Sequence, residues 1–166
     1  MIAVDTNVLV HAHRADTVSH ESARRALEQL AGMPNGWAIP WPCAHEFLAV
    51  VTGPAFREAR TPLHVALEAL AAWTSHPRCT LLGESSRHLE LLGALTLRAA
   101  VAGGAVHDAR IAAICLGHGV EELWTCDRDF ARFPDLRTRN PLPPPPQEPL
   151  PHAMRSRSST RRRSGG

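Results

Sequence analysis

The chain has 166 residues, a length typical of one domain that buries a hydrophobic core without cross-links. Hydrophobic residues make up 44% and charged residues 20%, and no apolar run approaches the roughly 20 residues needed to span a bilayer. The first residues also lack a basic stretch followed by a long apolar one, so we expect a cytoplasmic protein with no membrane contact.

The net charge of +2 arises at the C-terminal end of the chain. All 18 basic residues are arginines, and five of them fall after Pro141 with a single acid, Glu148. The 13 arginines and 15 acids before Pro141 therefore leave a net charge of −2. A generally basic surface is thus no argument for nucleic-acid binding by this part of the chain.

Short apolar runs alternate with stretches of helical periodicity along the chain. The runs predict strands at 1–5, 37–40, 79–82, 123–126 and 136–138. The periodic stretches predict helices at 17–31, 42–51, 62–76, 85–101 (capped by Ser85 or Ser86) and 106–116. This alternation predicts an α/β fold of three layers, with a central parallel sheet of four to five strands flanked by helices.

The composition changes after residue 142. Four prolines, 143–146, lead into a stretch rich in serine, arginine and glycine. We therefore predict one domain over 1–142 and a disordered tail over 143–166. The tail either adds non-specific affinity for RNA or is a solvated extension.

Four acids lie at the ends of predicted strands or near the starts of predicted helices. Asp5 and Asp127 each end an apolar strand, where the ligand crevice of an open parallel sheet lies. Glu46 and Asp108 each lie early in a helix that can face the same rim. Taken singly they have ordinary interpretations, as helix caps, a solvated helix residue or part of a turn. Together they predict a carboxylate cluster.

Such a cluster needs a compensating charge. Two carboxylates 4 Å apart repel by roughly 4 kcal/mol at an effective dielectric near 20. A set of oxygen ligands suits Mg²⁺, or Mn²⁺, rather than Zn²⁺. Metal ions held in this way activate water for phosphodiester hydrolysis. The sequence therefore predicts a metal-dependent nuclease site.

Several neighbouring residues are candidates for supporting roles. The polar groups of Thr6, Asn7 and Thr125 would orient a carboxylate or a metal-bound water. Asp129 is either an outer ligand or points away from the site. Three arginines either contact RNA phosphates or pair with nearby acids, namely Arg14, Arg110 and Arg128. His11 and His13 are expected to be ordinary histidines, because a spacing of two splays them on a helix.

Around the four acids the sequence resembles the PIN domain, specifically the VapC toxins of bacterial toxin–antitoxin pairs. The resemblance covers residues 1–142, and its motifs occur in the family's order. They are IAVDTNVL at 2–9 with Asp5, HEFL at 45–48 with Glu46, VHDARIAA at 106–113 with Asp108, and TCDRDF at 125–130 with Asp127. The segments FPDL at 133–136 and NPL at 140–142 also fit, whereas the tail is a departure from the family.

The resemblance implies a PIN-like fold and an endoribonuclease that needs Mg²⁺ or Mn²⁺. It implies that Asp5, Glu46, Asp108 and Asp127 hold the metal and catalyse cleavage of transfer or ribosomal RNA. It also implies a VapB-like antitoxin that blocks the site, and a homodimer. The alternative is a catalytically inert PIN-like module that binds RNA or a protein. Phosphatases and receiver domains with a strand-end aspartate are excluded, because the chain has no lysine and residue 7 is Asn.

Overall fold

The computed structural model describes residues 1–54 and 59–142, so the predicted tail at 143–166 lies outside the described residues. The strands are β1 Ile2–Val4, β2 Trp37–Pro40, β3 Cys79–Leu82, β4 Glu122–Trp124 and β5 Thr138–Arg139. The α-helices are α1 Thr6–His13, α2 His20–Gly32, α3 Trp41–Thr52, α4 Leu63–Thr74, α5 His88–Ala99 and α6 Ala105–Gly117, and a 3₁₀ helix spans Arg128–Arg132. Among the described residues, no helix combines the length and the apolar character needed to cross a bilayer.

The five strands form one sheet in the order β3-β2-β1-β4-β5, and every neighbouring pair is parallel. This confirms the predicted α/β fold with a central parallel sheet. Strands β2 and β3 lie on one side of β1, and β4 and β5 lie on its other side. The β1–β4 junction is therefore the point where the strand order reverses, and a crevice opens there beyond the carboxyl ends of the strands.

The core lies between the sheet and its flanking helices. Its largest fully buried side chains include Trp37, Phe47, Trp124, Phe130 and Phe133. In α6 every residue of 111–115 is buried, as expected for a helix that is apolar all round. α1 packs against α2 and α3, and α5 packs against α6. This packing fixes α1, α3 and α6 firmly, and these three helices carry much of the candidate site.

The structure differs from the sequence prediction at several element boundaries. Helix α1 was not predicted, because its residues follow β1 directly and the buried run at 8–10 matches neither a strand nor a helix period clearly. Helix α5 begins at His88 with no side-chain cap, so the predicted caps at Ser85 or Ser86 are wrong. It ends where Ala100 adopts a left-handed φ of 50°. Strand β4 ends at Trp124, one residue before Thr125, although the Thr125 backbone N–H still donates to the Arg139 carbonyl of β5.

Candidate metal centre

The four acids predicted from sequence line a single cavity of about 400 Å³, which we call the acid cavity. It opens beyond the carboxyl ends of β1 and β4, and α1, α3 and α6 form its walls. Its complete lining is Asp5, Thr6, Asn7, Val10, His11, Glu46, Val50, Asp108, Ile111, Asp127 and Phe130. The fold thus brings together acids that lie up to 122 positions apart in the sequence.

Asp5 is the most deeply placed of these acids, with only 4% of its surface exposed. Its Oδ1 accepts hydrogen bonds from the Thr6 backbone N–H at 2.7 Å and from the Cys43 thiol at 3.6 Å. Its Oδ2 accepts from the Thr125 hydroxyl at 2.6 Å and the Asn7 side-chain amide at 2.7 Å. Burial raises the pKa of Asp5, while the bonds from Thr125, Thr6 and Cys43 act to lower it and the charge of Glu46 raises it further.

Thr125 and Asn7 join the ends of the two central strands. The Thr125 hydroxyl donates to Asp5 and accepts from the Asn7 amide at 3.0 Å and the Asp127 backbone N–H at 2.9 Å. The Asn7 carbonyl oxygen accepts from the Cys126 backbone N–H at 3.0 Å. The hydroxyl of Thr125 therefore uses its one donor and both acceptor sites. Together these two side chains fix Asp5 and the start of the 127–130 segment relative to each other.

Glu46 enters the acid cavity from α3. Its Oε2 accepts a hydrogen bond of 2.6 Å from the Thr6 hydroxyl, and its side chain is otherwise exposed to the cavity. The bond ties α3 to the first residue of α1. The bond directs the Glu46 carboxylate to the acid cavity, where the side chain stays exposed.

Asp108, Asp127 and Asp129 form a second grouping, which we call the three-acid cluster. One carboxylate oxygen of each lies within 4.8 Å of the others. The pKa of Asp108 is raised by its partial burial and then by the negative charges of Asp127, Asp5, Asp129 and Glu46. Asp129 therefore joins the site at its outer edge, beside Asp108 and Asp127, and is absent from the lining of the acid cavity.

The donor set fits a hard divalent cation. Within residues 1–54 and 59–142, none of Asp5, Glu46, Asp108 and Asp127 forms a salt bridge with a basic side chain. Four carboxylates thus share one cavity without protein cations to offset their repulsion. Oxygen donors of this kind, with room left for water and phosphate, suit Mg²⁺ or Mn²⁺.

The three candidate arginines lie outside the acid cavity. Arg14 is buried and is held by both oxygens of Asp16 at 2.8 and 2.6 Å, and it also donates to the Ala59 carbonyl. Of the two alternatives predicted for Arg14, the structure shows the pairing with a nearby acid, and contact with RNA phosphates stays a prediction. Arg110 pairs with Glu84 beside an adjoining cavity. Arg128 is exposed on the 3₁₀ helix, between Asp127 and Asp129.

Two residues at the site were missed or treated as ordinary from sequence. His11 lines the acid cavity, and its buried Nδ1 has no hydrogen-bond partner among the described residues. Burial lowers its pKa. The sequence could have placed His11 at the site if helix α1 had been predicted. Asn7 and His11 are four residues apart and therefore lie on the same face of that helix. The thiol of Cys43 beside Asp5 had no signal beyond its position three residues before Glu46.

Comparison with known proteins agrees with this geometry. The family model described as the PIN domain matches residues 2–136. Ribonuclease VapC48 of Mycobacterium tuberculosis is 31% identical over 138 residues, which cover 83% of this chain and 95% of VapC48. Ribonuclease VapC43 of the same species is 36% identical over 143 residues, covering 86% of this chain and 96% of VapC43. The chain therefore belongs to the PIN domain family and groups with its VapC members.

Solved structures share the fold. The toxin–antitoxin structure VapBC2 from Rickettsia felis, bound to a promoter DNA fragment, aligns with a TM-score of 0.63 at 22% identity, over 84% of this chain and 98% of that one. FitAcB from Neisseria gonorrhoeae aligns with a TM-score of 0.64 at 20% identity, over 85% of this chain and 98% of that one. The sheet order and flanking helices described above are thus those of known PIN-domain structures.

Proposed function

We propose that this protein is a Mg²⁺-dependent endoribonuclease, for which Mn²⁺ is a plausible substitute, and the toxin of a toxin–antitoxin pair acting in the cytoplasm. The observation that carries the proposal is the convergence of four carboxylates in one cavity, none of which forms a salt bridge with a basic side chain in the part of the chain that the structure describes. RNA is the proposed substrate because relatives more than 30% identical over nearly their whole length are named ribonucleases.

Each acid has a distinct part in the proposed reaction. Asp5 is held rigidly by four donors and would present a fixed ligand at the floor of the site. Asp108 and Asp127 would complete the ligand set from the outer side. A bound Mg²⁺ would offset their charge, lower the pKa of a bound water and bind the substrate phosphate. Glu46, aimed into the cavity by Thr6, is the candidate to accept the proton of the attacking water.

The direct test is incubation of the purified protein with total RNA in Mg²⁺, in Mn²⁺ and in EDTA. We expect cleavage with either metal and none in EDTA. Glu46→Gln keeps the shape of the side chain and removes the proton acceptor, so cleavage should fall by at least the roughly 10²- to 10⁴-fold that general base catalysis contributes.

Glu68→Gln is the matched control, because Glu68 is an exposed acid on α4 outside the acid cavity. It should cut RNA at the wild-type rate. Absence of cleavage by the wild-type protein under every metal condition would overturn the proposal and favour a module that only binds RNA or protein.

The proposed partners are an antitoxin and a second copy of the chain. Solved neighbours of this fold include a toxin–antitoxin complex from Klebsiella pneumoniae, and we propose a VapB-like antitoxin that covers the acid cavity. Dimerisation is supported by two leucines on one side of α5, Leu89 and Leu97, which are 81% and 84% exposed. Light scattering should show a dimer for the wild-type protein and a monomer for Leu97→Asp.

A further inference from the structure

A second cavity of about 510 Å³ adjoins the acid cavity, and we call it the side cavity. Both cavities are lined by Glu46, Asp108 and Ile111. The rest of the side cavity is formed by Pro42, His45, Ala49, Gly104, His107 and Arg110. A nucleic-acid strand with one phosphate in front of the acids would therefore place a neighbouring nucleotide in the side cavity. A volume of this size lies within the range of small-ligand pockets.

Two histidines and an arginine with flat side chains line the side cavity, and Trp41 lies behind one of the histidines, outside the lining. His45 and His107 are both exposed there, each directly preceding one of the shared acids. The Trp41 ring lies against His45, with ring centroids 5.3 Å apart and planes inclined by 33°. Trp41 is 41% exposed, and it is the most exposed tryptophan of the described residues. Its buried counterparts, Trp37 and Trp124, belong to the core.

Arg110 adds a guanidinium whose orientation is fixed. Its Nε and Nη2 both donate to one oxygen of Glu84, at 2.9 and 2.6 Å. The same contact lowers the pKa of Glu84. Glu84 thus holds the guanidinium beside the side cavity, although Asp108 lies only two residues away in the sequence. The two flat faces of the guanidinium are not used by this edge-on ion pair.

We propose that Trp41, His45, His107 and Arg110 form a stacking platform for an unpaired base of single-stranded RNA, next to the phosphate that a metal ion at the acids would bind. The proposal rests on the ribonuclease function proposed above and adds the residues that bind a base of the substrate. Single-stranded RNA is recognised by stacking its splayed bases on aromatic rings and guanidinium planes. A base inside a duplex is already stacked on its neighbours, so the platform selects loops and unpaired strands over helical RNA.

The test measures binding separately from cleavage. A fluorescein-labelled single-stranded oligoribonucleotide is titrated with the Glu46→Gln protein in Mg²⁺ and followed by fluorescence anisotropy. On this background, Trp41→Ala and His45→Ala should each weaken binding, with about 5- to 150-fold expected for the loss of one stacked base. Trp41→Phe should restore most of the affinity. His64→Ala, an exposed histidine of α4 outside both cavities, should bind like the parent.

A strand of the same length with abasic residues identifies base stacking as the cause. The Trp41→Ala protein should bind the abasic strand with the same affinity as its parent. The slope of log affinity against log salt should also stay the same, since no phosphate contact is lost. Equal weakening for both strands, or no weakening for the base-bearing strand, would overturn the platform. His45→Ala keeps the test valid should Trp41→Ala fail to fold, because His45 is an exposed side chain.

The platform and the nuclease proposal fail in different ways. If the protein with Glu46 intact cleaves RNA and the platform variants keep its kcat/KM, the platform is wrong and the nuclease stands. If no cleavage is found but binding still depends on bases and on Trp41, the platform stands and the nuclease proposal falls.

Discussion

The repulsion within the three-acid cluster leads to a quantitative prediction about stability. The change is Asp108→Asn, which removes one negative charge from a grouping whose oxygens lie within 4.8 Å. At that distance one carboxylate pair repels by about 3.5 kcal/mol at an effective dielectric of 20 and about 0.9 kcal/mol in bulk water. Because Asp108 is only partly buried and its neighbours are exposed, solvent screening favours the lower end. We expect a net gain of about 1 kcal/mol in EDTA.

Mg²⁺ should remove most of the stability difference between the two proteins. With 10 mM Mg²⁺ and a Kd of about 1 mM, the wild-type protein gains about 1.4 kcal/mol. The variant lacks one ligand charge and should gain less than half of this. One kcal/mol corresponds to about 2–4 °C in Tm for a domain of this size. Thermal unfolding followed by circular dichroism in EDTA and in Mg²⁺ therefore resolves both effects.

The matched control is Asp135→Asn, because Asp135 is an exposed aspartate paired with Arg98 outside the site. Its Tm should change little in EDTA, and its response to Mg²⁺ should match that of the wild-type protein. The reasoning is refuted if Asp108→Asn loses stability in EDTA, or if Mg²⁺ stabilises the variant as much as the wild-type protein. The first result would mean that the cluster carries no unrelieved repulsion, and the second would mean that the charge of Asp108 does not contribute to metal binding.

Three further predictions concern the surroundings of Asp5. Thr125→Val should cost about 1–3 kcal/mol of stability, since it leaves buried polar partners unsatisfied, whereas Thr80→Val on the exposed side of β3 should cost little in the same denaturant titration. Cys43→Ala should raise the Mg²⁺ concentration at which half of the metal-induced increase in Tm is reached. Cys43→Ser should leave this concentration unchanged, because serine keeps a donor to Asp5. The same concentration for both variants would refute a role for the donor at residue 43. Acidification in EDTA should add a stabilising contribution, because the folded-state pKa values of Asp5 and Asp108 are raised above 3.8. The free-energy cost of ionising these two carboxyls in the folded protein is fully present above their folded-state pKa. It disappears as the pH falls to their unfolded-state pKa. The double variant Asp5→Asn, Asp108→Asn should therefore show a smaller gain between neutral pH and pH 4 in denaturant titrations than the wild-type protein.

Much of the fold could be predicted because its strands are short apolar runs bounded by turn-forming residues. Strands β2 and β3 coincide with the predicted segments 37–40 and 79–82. Helix α1 was missed because the apolar run at 8–10 directly continues the apolar run of β1, so the two could not be separated from the sequence. The N-terminal signal of α1 is Asp5 itself, whose carboxylate accepts from the Thr6 N–H. A residue considered only for the site thus also begins a helix.

The location of the four acids could be predicted, but the direction of other side chains could not. Parallel strands end at one edge of a sheet, which places Asp5 and Asp127 together without any knowledge of packing. The orientation of Arg14 depends on its pairing with Asp16, and that of Asp129 on the turn of the 3₁₀ helix. Both arrangements are local, but residue spacing alone did not decide between them and a contact with substrate or metal.

The two groups of acids differ in how their charge is stabilised. Asp5 is buried, yet four neutral donors from α1, α3 and the segment after β4 surround it, so the protein itself can hold this carboxylate in place. Asp108 receives no such set of donors among the described residues, and its neighbours Asp127 and Asp129 add negative charge. The site therefore combines a ligand fixed by the fold with an outer group that needs a cation. The affinity for metal should depend mainly on the outer group, whereas the position of the bound metal should depend mainly on Asp5. Changes around Asp5 should therefore reduce the rate of cleavage even where metal binding persists.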